Sequence, residues 1–374
     1  MKKILIATNK FVCGGVETTL LNILKNIDKE KFDITLGLVC KGGELELDIP
    51  ADIKVQYFLP FDPMTLNKNF SNIYQMALLF CSRWLTRKLF IKDNNYDCVV
   101  AYSGNMIYYL KGFKGKKICW IHDDYFPFKI QNHIIGRIRK YRTLKYLDEC
   151  YKINCVSNNL KELLYEFSEK SLHNIQFLAN PVDVDKIKKL SNEIVNFEKD
   201  INIIKFISVG RLHEVKGYDR LIDICIELHN DFEDFELLIV GDGPSKKKLR
   251  DKINTHNADS YIKLLGYTDN PFKYMKYSDM YICSSMMEGY STSISEAMII
   301  GLGVISTDCG GSDQLLNNGE YGILTSNNKE GLKKGIRQVL ENNNLVKYYS
   351  NLSKERSVEL FNLDKSIRNI TDLF

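Results

Sequence analysis

The chain has 374 residues, 44% of them hydrophobic and 26% charged, and its formal net charge is +4. This length suggests two domains of ordinary size, and the composition is that of a soluble globular protein. No apolar run approaches the ~20 residues that a membrane helix needs, which excludes a spanning segment. The short apolar run after Met1 is expected to be a first buried strand rather than a signal peptide.

The charge is distributed unevenly between the two halves of the chain. Residues 1–180 carry 26 Lys and Arg against 18 Asp and Glu, whereas residues 181–374 carry 25 against 29. This asymmetry predicts that the first half meets an acidic surface. The ten cysteines are scattered without a Cys-x-x-Cys pair, which predicts buried thiols in a reducing cytoplasm.

Through the first half, short apolar runs alternate with stretches of helical spacing. The apolar runs are bounded by polar residues, as in the buried strands of a parallel sheet. They predict strands at 4–8, 32–39, 55–59, 97–102, 117–121 and 153–156. Helices are predicted over 17–25 and 160–167. This alternation predicts a parallel sheet with helices on both faces.

The second half repeats this pattern. Strands are predicted at 205–209, 236–240, 262–264, 280–283 and 304–306, with helices at 218–230 and 245–254. The segment 180–183, Asn-Pro-Val-Asp, is the best candidate for a hinge. We therefore expect an α/β protein of two doubly wound, Rossmann-like domains, 1–182 and 183–352, that face each other across a cleft.

The segment 285–297 combines a strand end, a Gly-containing loop and a helix start. Two glutamates in it, Glu288 and Glu296, stand eight positions apart. Backbone N–H groups at a helix start attract phosphates, and a carboxylate holds sugar hydroxyls because it accepts several hydrogen bonds. This pairing points to a nucleotide sugar. The spacing also fits a capping box with Ser293 as N-cap and Glu296 as its partner, and the two roles are compatible.

The same segment resembles the Glu-x7-Glu motif of retaining glycosyltransferases of family 4, among the glycosyl transferases group 1. The resemblance follows the family's order from the first strand to about residue 320. The other matching segments are 13–17, 120–123, 208–217, 239–243 and 309–312. The resemblance implies the GT-B architecture, with an acceptor-binding first domain and a nucleotide-sugar site mainly in the second domain. It also implies a final helix, 353–374, that crosses back onto the first domain.

For the glutamates and the loop between them, the resemblance implies contacts with the donor. Glu296 binds the ribose hydroxyls, and Glu288 approaches the donor sugar. Tyr267 meets the base, which is usually uracil in bacterial members. The backbone that approaches the sugar and diphosphate belongs to Gly289, Tyr290, Ser291 and Thr292. Many members have Pro where this chain has Ser291, and this departure leaves the choice of sugar open.

Two cations follow the strand predicted at 205–209. Arg211 comes after Gly210 at the carboxyl end of that strand, where open α/β sheets bind ligands, and Lys216 precedes a helix. Both would neutralise a diphosphate leaving group, since fixed cations stabilise the charge that builds as the glycosidic bond breaks. The alternative is a pair of solvated surface charges.

The resemblance also implies roles for residues of the first half. His122 lies near the donor sugar and the acceptor, although a histidine at a strand end is often structural. Asp123 and Asp124 contact acceptor hydroxyls. Gly14 and Gly15 let the first loop approach the diphosphate closely, or they form an ordinary turn.

We expect neither a metal nor an organic cofactor. Asp123-Asp124 and the Asp-Val-Asp run at 183–185 suggest a metal site, but the second lies at the hinge, far in sequence from the phosphate loops. Arg211 and Lys216 already fill a metal's electrostatic role. No Gly-x-Gly-x-x-Gly run follows a strand, which argues against a nicotinamide enzyme, and no P-loop sequence occurs.

The stretch 129–152 predicts a basic amphipathic helix. The apolar residues at helical spacing include Ile134, Ile138 and Tyr141. The stretch is either a solvated helix packed on the sheet or a surface that docks on anionic lipid, to which the cations around Trp84 could add. Nucleic acid is not an expected partner, because no recognised nucleic-acid module accompanies the patch.

By the resemblance, we expect a retaining, metal-independent transfer of a hexose or N-acetylhexosamine from a UDP-sugar to a glycan acceptor. The acceptor is expected to be lipid-linked, in bacterial surface polysaccharide synthesis, and the protein to be cytoplasmic and peripheral on the inner face of the plasma membrane. Two alternatives are a non-hydrolysing UDP-sugar epimerase and a non-catalytic nucleotide-sugar-binding partner subunit. An epimerase would need no acceptor, and the intact set of glutamates and cations argues against the subunit.

Overall fold

The computed structural model describes residues 1–12, 14–63, 68–92, 95–122, 134–195, 200 and 202–374. These residues form two compact units. Unit 1 consists of Met1–Pro181 with Leu363–Phe374, and unit 2 consists of Val182–Asn362.

Unit 1 is built on a parallel sheet. Its strands in the described part of the chain are β1 Lys2–Thr8, β2 Phe32–Leu38, β3 Lys54–Tyr57, β4 Cys98–Ala101, β5 Lys116–Ile121, β6 Lys152–Cys155 and β7 Ile175–Phe177. Their order across the sheet is β3-β2-β1-β4-β5-β6-β7, so the winding reverses between β1 and β4. In a doubly wound sheet, the ligand crevice opens at the carboxyl ends of the strands at such a reversal.

Helices connect these strands. They are α1 Gly15–Asn26, α2 Lys68–Phe80, α3 Arg83–Thr86, α4 Ile107–Leu110, α5 Ile134–Asp148 and α6 Asn158–Phe167. A π-helical turn, Arg87–Ile91, continues directly from α3, and 3-10 turns lie at Glu44–Asp48 and Gly104–Met106. Residues Ile4 to Ala7 of β1 are at most 1% exposed, as expected of a strand in a sheet that is covered on both faces.

Helix α5 exposes part of the apolar stripe that its sequence predicts. Ile138 is 42% exposed and Tyr141 is 69% exposed. Among its buried residues are Thr143, Tyr146 and Leu147. The outer surface of α5 therefore carries apolar side chains beside the exposed Arg137 and Lys145. The apolar and the basic residues of this helix do not lie on two separate faces.

Unit 2 repeats the doubly wound plan. Its strands in the described residues are β8 Ile204–Val209, β9 Phe235–Val240, β10 Ile262–Gly266, β11 Met280–Cys283, β12 Gly303–Thr307 and β13 Ile323–Thr325. The order is β10-β9-β8-β11-β12-β13, all parallel, and the winding reverses between β8 and β11. The expected fold, two doubly wound α/β domains, is confirmed.

The helices of unit 2 pack on this sheet. They are α7 Val184–Ser191, α8 Tyr218–His229, α9 Lys246–Thr255, α10 Phe272–Tyr277, α11 Thr292–Ile300, α12 Ser312–Leu315, α13 Lys329–Glu341 and α14 Asn344–Leu360. Leu221 of α8, Leu249 of α9 and Leu332 of α13 join the buried strand residues in one hydrophobic core. This core holds the strand ends rigidly beneath the loops that follow them.

The final helix, α15 Leu363–Thr371, belongs to unit 1. Its Ile367 and Ile370 are buried, and the ring of Phe374 meets Phe32 edge-on at 5.7 Å between centroids. The segment expected to cross back, 353–374, thus begins inside α14 of unit 2, and its part in unit 1 begins at Leu363.

The described cysteines are all free thiols, and all but Cys81 are buried. In the part of the chain that the structure describes, no helix has the length and apolar character needed to cross a membrane.

Candidate active site

The loops after β8 and β11, where the winding of unit 2 reverses, carry most of the predicted donor-binding residues. β8 ends at Val209 and leads into Gly210 and Arg211, while β11 ends at Cys283 and leads into the loop that contains Glu288. Strand topology therefore brings segments more than 70 residues apart to one edge of the sheet, the edge at which doubly wound sheets bind ligands.

A tight turn places Lys216 against the loop after β11. The 3-10 turn Glu214–Lys216 ends at Gly217, whose φ of +67° lies in the left-handed region that glycine adopts without strain. A Cβ at this position would lie 2.0 Å from the carbonyl oxygen of Ser284, so only glycine permits the approach. Ser284 Oγ in turn donates to the carbonyl of Lys216 at 2.8 Å.

Backbone hydrogen bonds fix the loop that carries Glu288 on two sides. The N–H of Met286 donates to the carbonyl of Val215 at 2.8 Å, and the N–H of Glu288 donates to the carbonyl of Cys309 at 2.6 Å. The loop is thereby tied to the turn before α8 and to the segment after β12. Such bonds hold the Glu288 side chain in one place before any ligand arrives.

Arg220 is a supporting residue that the sequence did not reveal. Its guanidinium donates to the carbonyls of Ser284 and Ser285 at 2.7 and 2.9 Å, and to Asn327 Oδ1 at 2.7 Å. A single arginine in the first turn of a helix looks like a solvated surface charge in sequence. Only the folded chain shows that it holds the loop's backbone.

Lys216 and Glu288 form an ion pair. Lys216 Nζ lies 2.5 Å from Glu288 Oε1, and Ser285 Oγ donates to the same oxygen at 2.6 Å. The two side chains are 27% and 13% exposed. Burial, the largest single influence, acts to lower the pKa of Lys216, but the charge and hydrogen bond of Glu288, with smaller contributions from Cys283 and Cys309, leave the pKa raised. The ammonium therefore stays charged at the edge of the sheet.

The pair lines a small cavity with Ser208, Ser291 and Ser293. The cavity volume is about 10 Å³, which is room for no more than about one water molecule. A sugar would therefore bind above the polar side chains that line this cavity rather than inside the cavity. Of the predicted residues, the structure brings Lys216, Glu288 and Ser291 together here.

Helix α11 begins two residues earlier than the capping-box alternative requires. Ser291 is its N-cap, and Ser291 Oγ accepts a hydrogen bond from the N–H of Ile294 at 3.3 Å. Glu296 is the fifth residue of the helix, so the alternative with Ser293 as N-cap is wrong. The cap gives Ser291 a physical role where many members of the resembled family have proline. The open N–H groups of the first turn face an anion favourably.

Glu296 carries a half-buried carboxyl group at the second turn of α11. Burial raises its pKa to about 8, and the charge of Lys186 on α7 opposes the shift. Within the described residues, its carboxyl group forms no hydrogen bond with another side chain or backbone group. Hydroxyl groups of a ligand would restore the hydrogen bonds that this group lacks.

The remaining predicted residues of unit 2 lie in different surroundings. Arg211 is exposed, and its side chain makes no ion pair or hydrogen bond with the described part of the chain. Tyr267 is exposed after β10. Gly289 and Tyr290 are buried between Glu288 and α11, and Thr292 is half-buried at the helix start. Neither Arg211 nor Tyr267 lines the cavity beside Lys216.

In unit 1, Gly14 and Gly15 form the start of α1, which follows the loop after β1. Gly14 is the N-cap and Gly15 the first helical residue. A Cβ on Gly14 would lie 2.8 Å from Glu17 Oε2, so the glycine leaves room for that carboxylate. Burial raises the pKa of Glu17 to about 7, and its own backbone N–H opposes the shift. Glu17 stood in a matching segment, but no role was predicted for it.

His122 follows β5 and stacks at a tilt on Tyr102, with 4.7 Å between ring centroids. Neither ring nitrogen of His122 nor the hydroxyl of Tyr102 meets hydrogen-bond geometry with a described residue. Burial lowers the pKa of His122 to about 4, although the nearby Tyr102 backbone opposes the shift. The imidazole is therefore neutral and unsatisfied, as expected of a group that meets a ligand. Asp123 and Asp124 lie outside the described residues.

The Asp-Val-Asp run at 183–185 has a structural role. Asp183 is the N-cap of α7, and its Oδ1 accepts a hydrogen bond from the N–H of Lys186 at 2.9 Å. Among the described residues, no three His, Cys, Asp or Glu side chains are grouped so that they could hold a metal ion.

The chain is similar to known glycosyltransferases. Residues 188–356, which include Lys216, Glu288 and Glu296, match the family model of the glycosyl transferases group 1. An uncharacterised glycosyltransferase of Methanocaldococcus jannaschii is 34% identical over 56% of this chain and 56% of that protein. The chain thus spans little more than half the length of the first curated relatives that it matches.

Two full-length similarities complement these matches. The UDP-Gal:alpha-D-GlcNAc-diphosphoundecaprenol alpha-1,3-galactosyltransferase of Escherichia coli is 25% identical over 96% of this chain and 93% of that protein. The structure of Anabaena HepE in complex with UDP aligns with a TM-score of 0.75 over 100% of this chain and 99% of that chain, at 18% identity. The second similarity establishes the fold alone.

These matches confirm the resemblance at the level of group 1, whereas membership of family 4 stays a prediction. The polar residues at the strand ends of unit 2 lie inside the matched segment. Residues 188–356, a little under half of this chain, are thus similar to the glycosyl transferases group 1.

Proposed function

We propose that this protein is a retaining, metal-independent glycosyltransferase that moves a hexose or N-acetylhexosamine from a UDP-sugar to a lipid-linked glycan. The observation that carries the proposal is the Lys216–Glu288 ion pair, 2.5 Å long, at the winding reversal of unit 2. An acid and a base held at that position suit a ligand with both sugar hydroxyls and phosphates.

The donor would engage this site through complementary groups. The diphosphate would meet the amino end of α11 and the ammonium of Lys216, with Arg211 as a second cation. Glu288 would accept hydrogen bonds from hydroxyls of the donor sugar. Glu296 would accept those of the ribose, which would supply the hydrogen bonds that its carboxyl group lacks.

The reaction would proceed by attack on the face from which the diphosphate leaves. The bond between the sugar's anomeric carbon and the β-phosphate oxygen breaks, and a bond from the acceptor oxygen forms on the same face. The acceptor's proton passes to the leaving phosphate oxygen, so no separate protein base is needed. Lys216 and Arg211 would stabilise the charge that builds on the diphosphate, which is why no metal is proposed.

The identities of donor and acceptor are inferred from related proteins. The Escherichia coli relative is named for a UDP-sugar donor and a diphosphoundecaprenol-linked acceptor, and HepE was solved with UDP. A lipid-linked acceptor would place this protein on the inner face of the plasma membrane. The exposed apolar and basic surface of α5 suits such a position.

A donor screen tests this function. Purified protein would be incubated with a panel of UDP- and GDP-sugars in EDTA, with and without a glycan acceptor, and nucleotide release would be measured. We expect UDP release from one UDP-sugar, accelerated by the acceptor. Conversion of the sugar without UDP release would indicate an epimerase, and UDP binding without any turnover would indicate a non-catalytic subunit.

The screen has a matched control on the same unit. Glu288→Gln removes the carboxylate at the strand edge, whereas Glu227→Gln removes an exposed carboxylate that pairs with Lys329 and Lys333. Release should fall in the first variant and persist in the second. Equal release from both variants would contradict the assigned site.

A further inference from the structure

A second cavity lies in unit 1, at the opposite edge of the sheet from the strand carboxyl ends. It has a volume of about 540 Å³, within the range of roughly 300–1,000 Å³ typical of ligand pockets. It adjoins the start of β5 and the segment just before β6. No residue predicted to bind donor or acceptor lines it.

The lining is strongly cationic. Its charged residues are Arg83, Arg87, Lys111, Lys114, Lys117 and Glu149. The single carboxylate is already engaged, because Glu149 pairs with Arg83 and lies 2.8 Å from Lys117 Nζ. Five cations face one carboxylate, so the cavity keeps an excess of positive charge that an anion would neutralise.

The fold builds this cavity rather than leaving it as a gap between mobile side chains. Lys111 is 1% exposed, and its Nζ donates to the carbonyls of Leu78 and Leu79 at 2.6 and 3.0 Å. A Cβ on Gly112 would lie 2.2 Å from the carbonyl of Arg83. The glycine therefore lets α3 pack directly on the loop before β5, which fixes Arg83 at the rim.

The rim is unusually apolar for an exposed surface. Trp84 is 68% exposed, with Lys88 Nζ 5.2 Å from its ring centroid, and Leu85 and Leu89 are exposed nearby in the chain. Arg142 of α5 lies 4.2 Å from the ring centroid of exposed Phe80, so this rim continues toward the outer surface of α5. A soluble phosphate would neutralise the cations but could not cover these side chains.

We propose that this cavity receives the phosphate of an anionic phospholipid headgroup, with Trp84 and its apolar neighbours inserted at the membrane–water interface. Exposed tryptophan is favoured at that level of a bilayer, where its ring is apolar and its N–H stays hydrated. Basic pockets bind anionic headgroups, and apolar insertion adds to the electrostatic attraction. Such a site would add a membrane contact to the proposed function. The inference rests on that function only in taking the acceptor to be linked to a lipid.

Vesicle flotation tests the headgroup site without any assay of transfer. The full-length protein would be mixed with phosphatidylcholine vesicles, or with vesicles that also contain phosphatidylglycerol. We expect binding only to the anionic vesicles. Lys114→Gln should weaken it by about fivefold, the factor expected for about 1 kcal/mol per basic residue near the surface. Trp84→Ser should weaken it as well, because it removes the interfacial ring. Both side chains are exposed, so the variants should fold.

Control variants on unit 2 distinguish vesicle binding at this site from vesicle binding through general surface charge. Tyr348→Ser and Arg337→Gln remove an exposed aromatic and a half-buried cation from unit 2 and should leave binding unchanged. Equal binding to neutral vesicles, or undiminished binding by Trp84→Ser, would overturn the proposal. Thermal stabilisation by soluble glycerophosphate without vesicle binding would overturn it too, and would assign the cavity to a soluble phosphate. Transfer to a soluble acceptor should persist in Trp84→Ser, so failure here is distinguishable from failure of the proposed function.

Discussion

Lys216 Nζ and Glu288 Oε1 lie 2.5 Å apart although 72 residues separate them in the chain. The contact exists because β8 and β11 are neighbours at the winding reversal of unit 2. Gly217 permits the close approach of the two loops, and Arg220 fixes the carbonyls of one of them. The pair is therefore a product of topology and of local backbone geometry together.

The ion pair should be energetically coupled. Lys216→Ala or Glu288→Ala leaves one partly buried charge without its partner, so each should lower the free energy of unfolding of unit 2 by about 1–3 kcal/mol. The double variant should lose less than the sum, because neither charge is then left unpaired. Denaturant unfolding of the four proteins gives the coupling.

A matched cycle on an exposed pair sets the reference for this coupling. Lys329 and Glu227 lie on the same unit, and both side chains are 40% exposed. Surface pairs of this kind contribute roughly 0–1 kcal/mol. Strictly additive losses at Lys216 and Glu288 would show that the pair does not form in solution.

Glu296 should make the stability of unit 2 depend on pH. Burial raises its pKa from 4.5 to about 8, so the folded state holds a proton that the unfolded state releases. The resulting stabilisation is complete below about pH 4.5 and is lost as the pH rises through about 8. Urea unfolding across this window should show a decline in the wild type that is absent in Glu296→Gln.

The same carboxyl group should release a proton when UDP binds near neutral pH. Ribose hydroxyls that donate hydrogen bonds favour the charged carboxylate and so lower its pKa. Calorimetric titration with UDP in buffers of different ionisation enthalpy measures this release. Glu296→Gln should bind UDP more weakly and release no proton, and unchanged affinity would count against ribose recognition by Glu296.

Arg211 should matter for turnover and not for stability. Its side chain is exposed and makes no ion pair with the described residues, so Arg211→Ala should unfold at the wild-type temperature. Loss of a cation that stabilises the leaving diphosphate should lower kcat by orders of magnitude. A wild-type rate at saturating donor would remove Arg211 from the site.

His122 should remain neutral through the working range of pH. Burial lowers its pKa to about 4, so its imidazole NMR signals should not titrate between pH 5 and 8. The rate should show no inflection from this residue near its ordinary pKa. Titration near pH 6.5 would mean that His122 is hydrated and not held in the apolar contact with Tyr102.

Sequence patterns predicted the fold well because buried parallel strands leave a strong apolar signal. The strands β7 and β13 were not predicted, since three residues each give too short a pattern. Helix α5 was predicted, but not its outward apolar residues, because periodicity alone does not say which stripe faces the sheet. Packing decided that Thr143, Tyr146 and Leu147 face inward.

The candidate site was predictable in its residues and not in its contacts. The positions of Lys216 and Glu288 after strands suggested a ligand site, but no local pattern showed that they meet. The start of α11 was misjudged by the capping-box alternative because Ser291 and Ser293 are both suitable caps, and the fold selects Ser291. Arg220 gains its importance from tertiary contacts, and Glu17 gains its importance from burial.

The central claim is that unit 2 binds a UDP-sugar and that Glu288 takes part in its transfer. The most direct measurement compares wild type and Glu288→Gln on the UDP-sugar selected by the donor screen, with acceptor and EDTA, and determines both turnover and UDP affinity. We predict sustained UDP release by the wild type and a loss of about a hundredfold or more in the variant, with UDP affinity retained, since an interaction made in the transition state is lost. A variant that releases UDP at the wild-type rate would contradict the account.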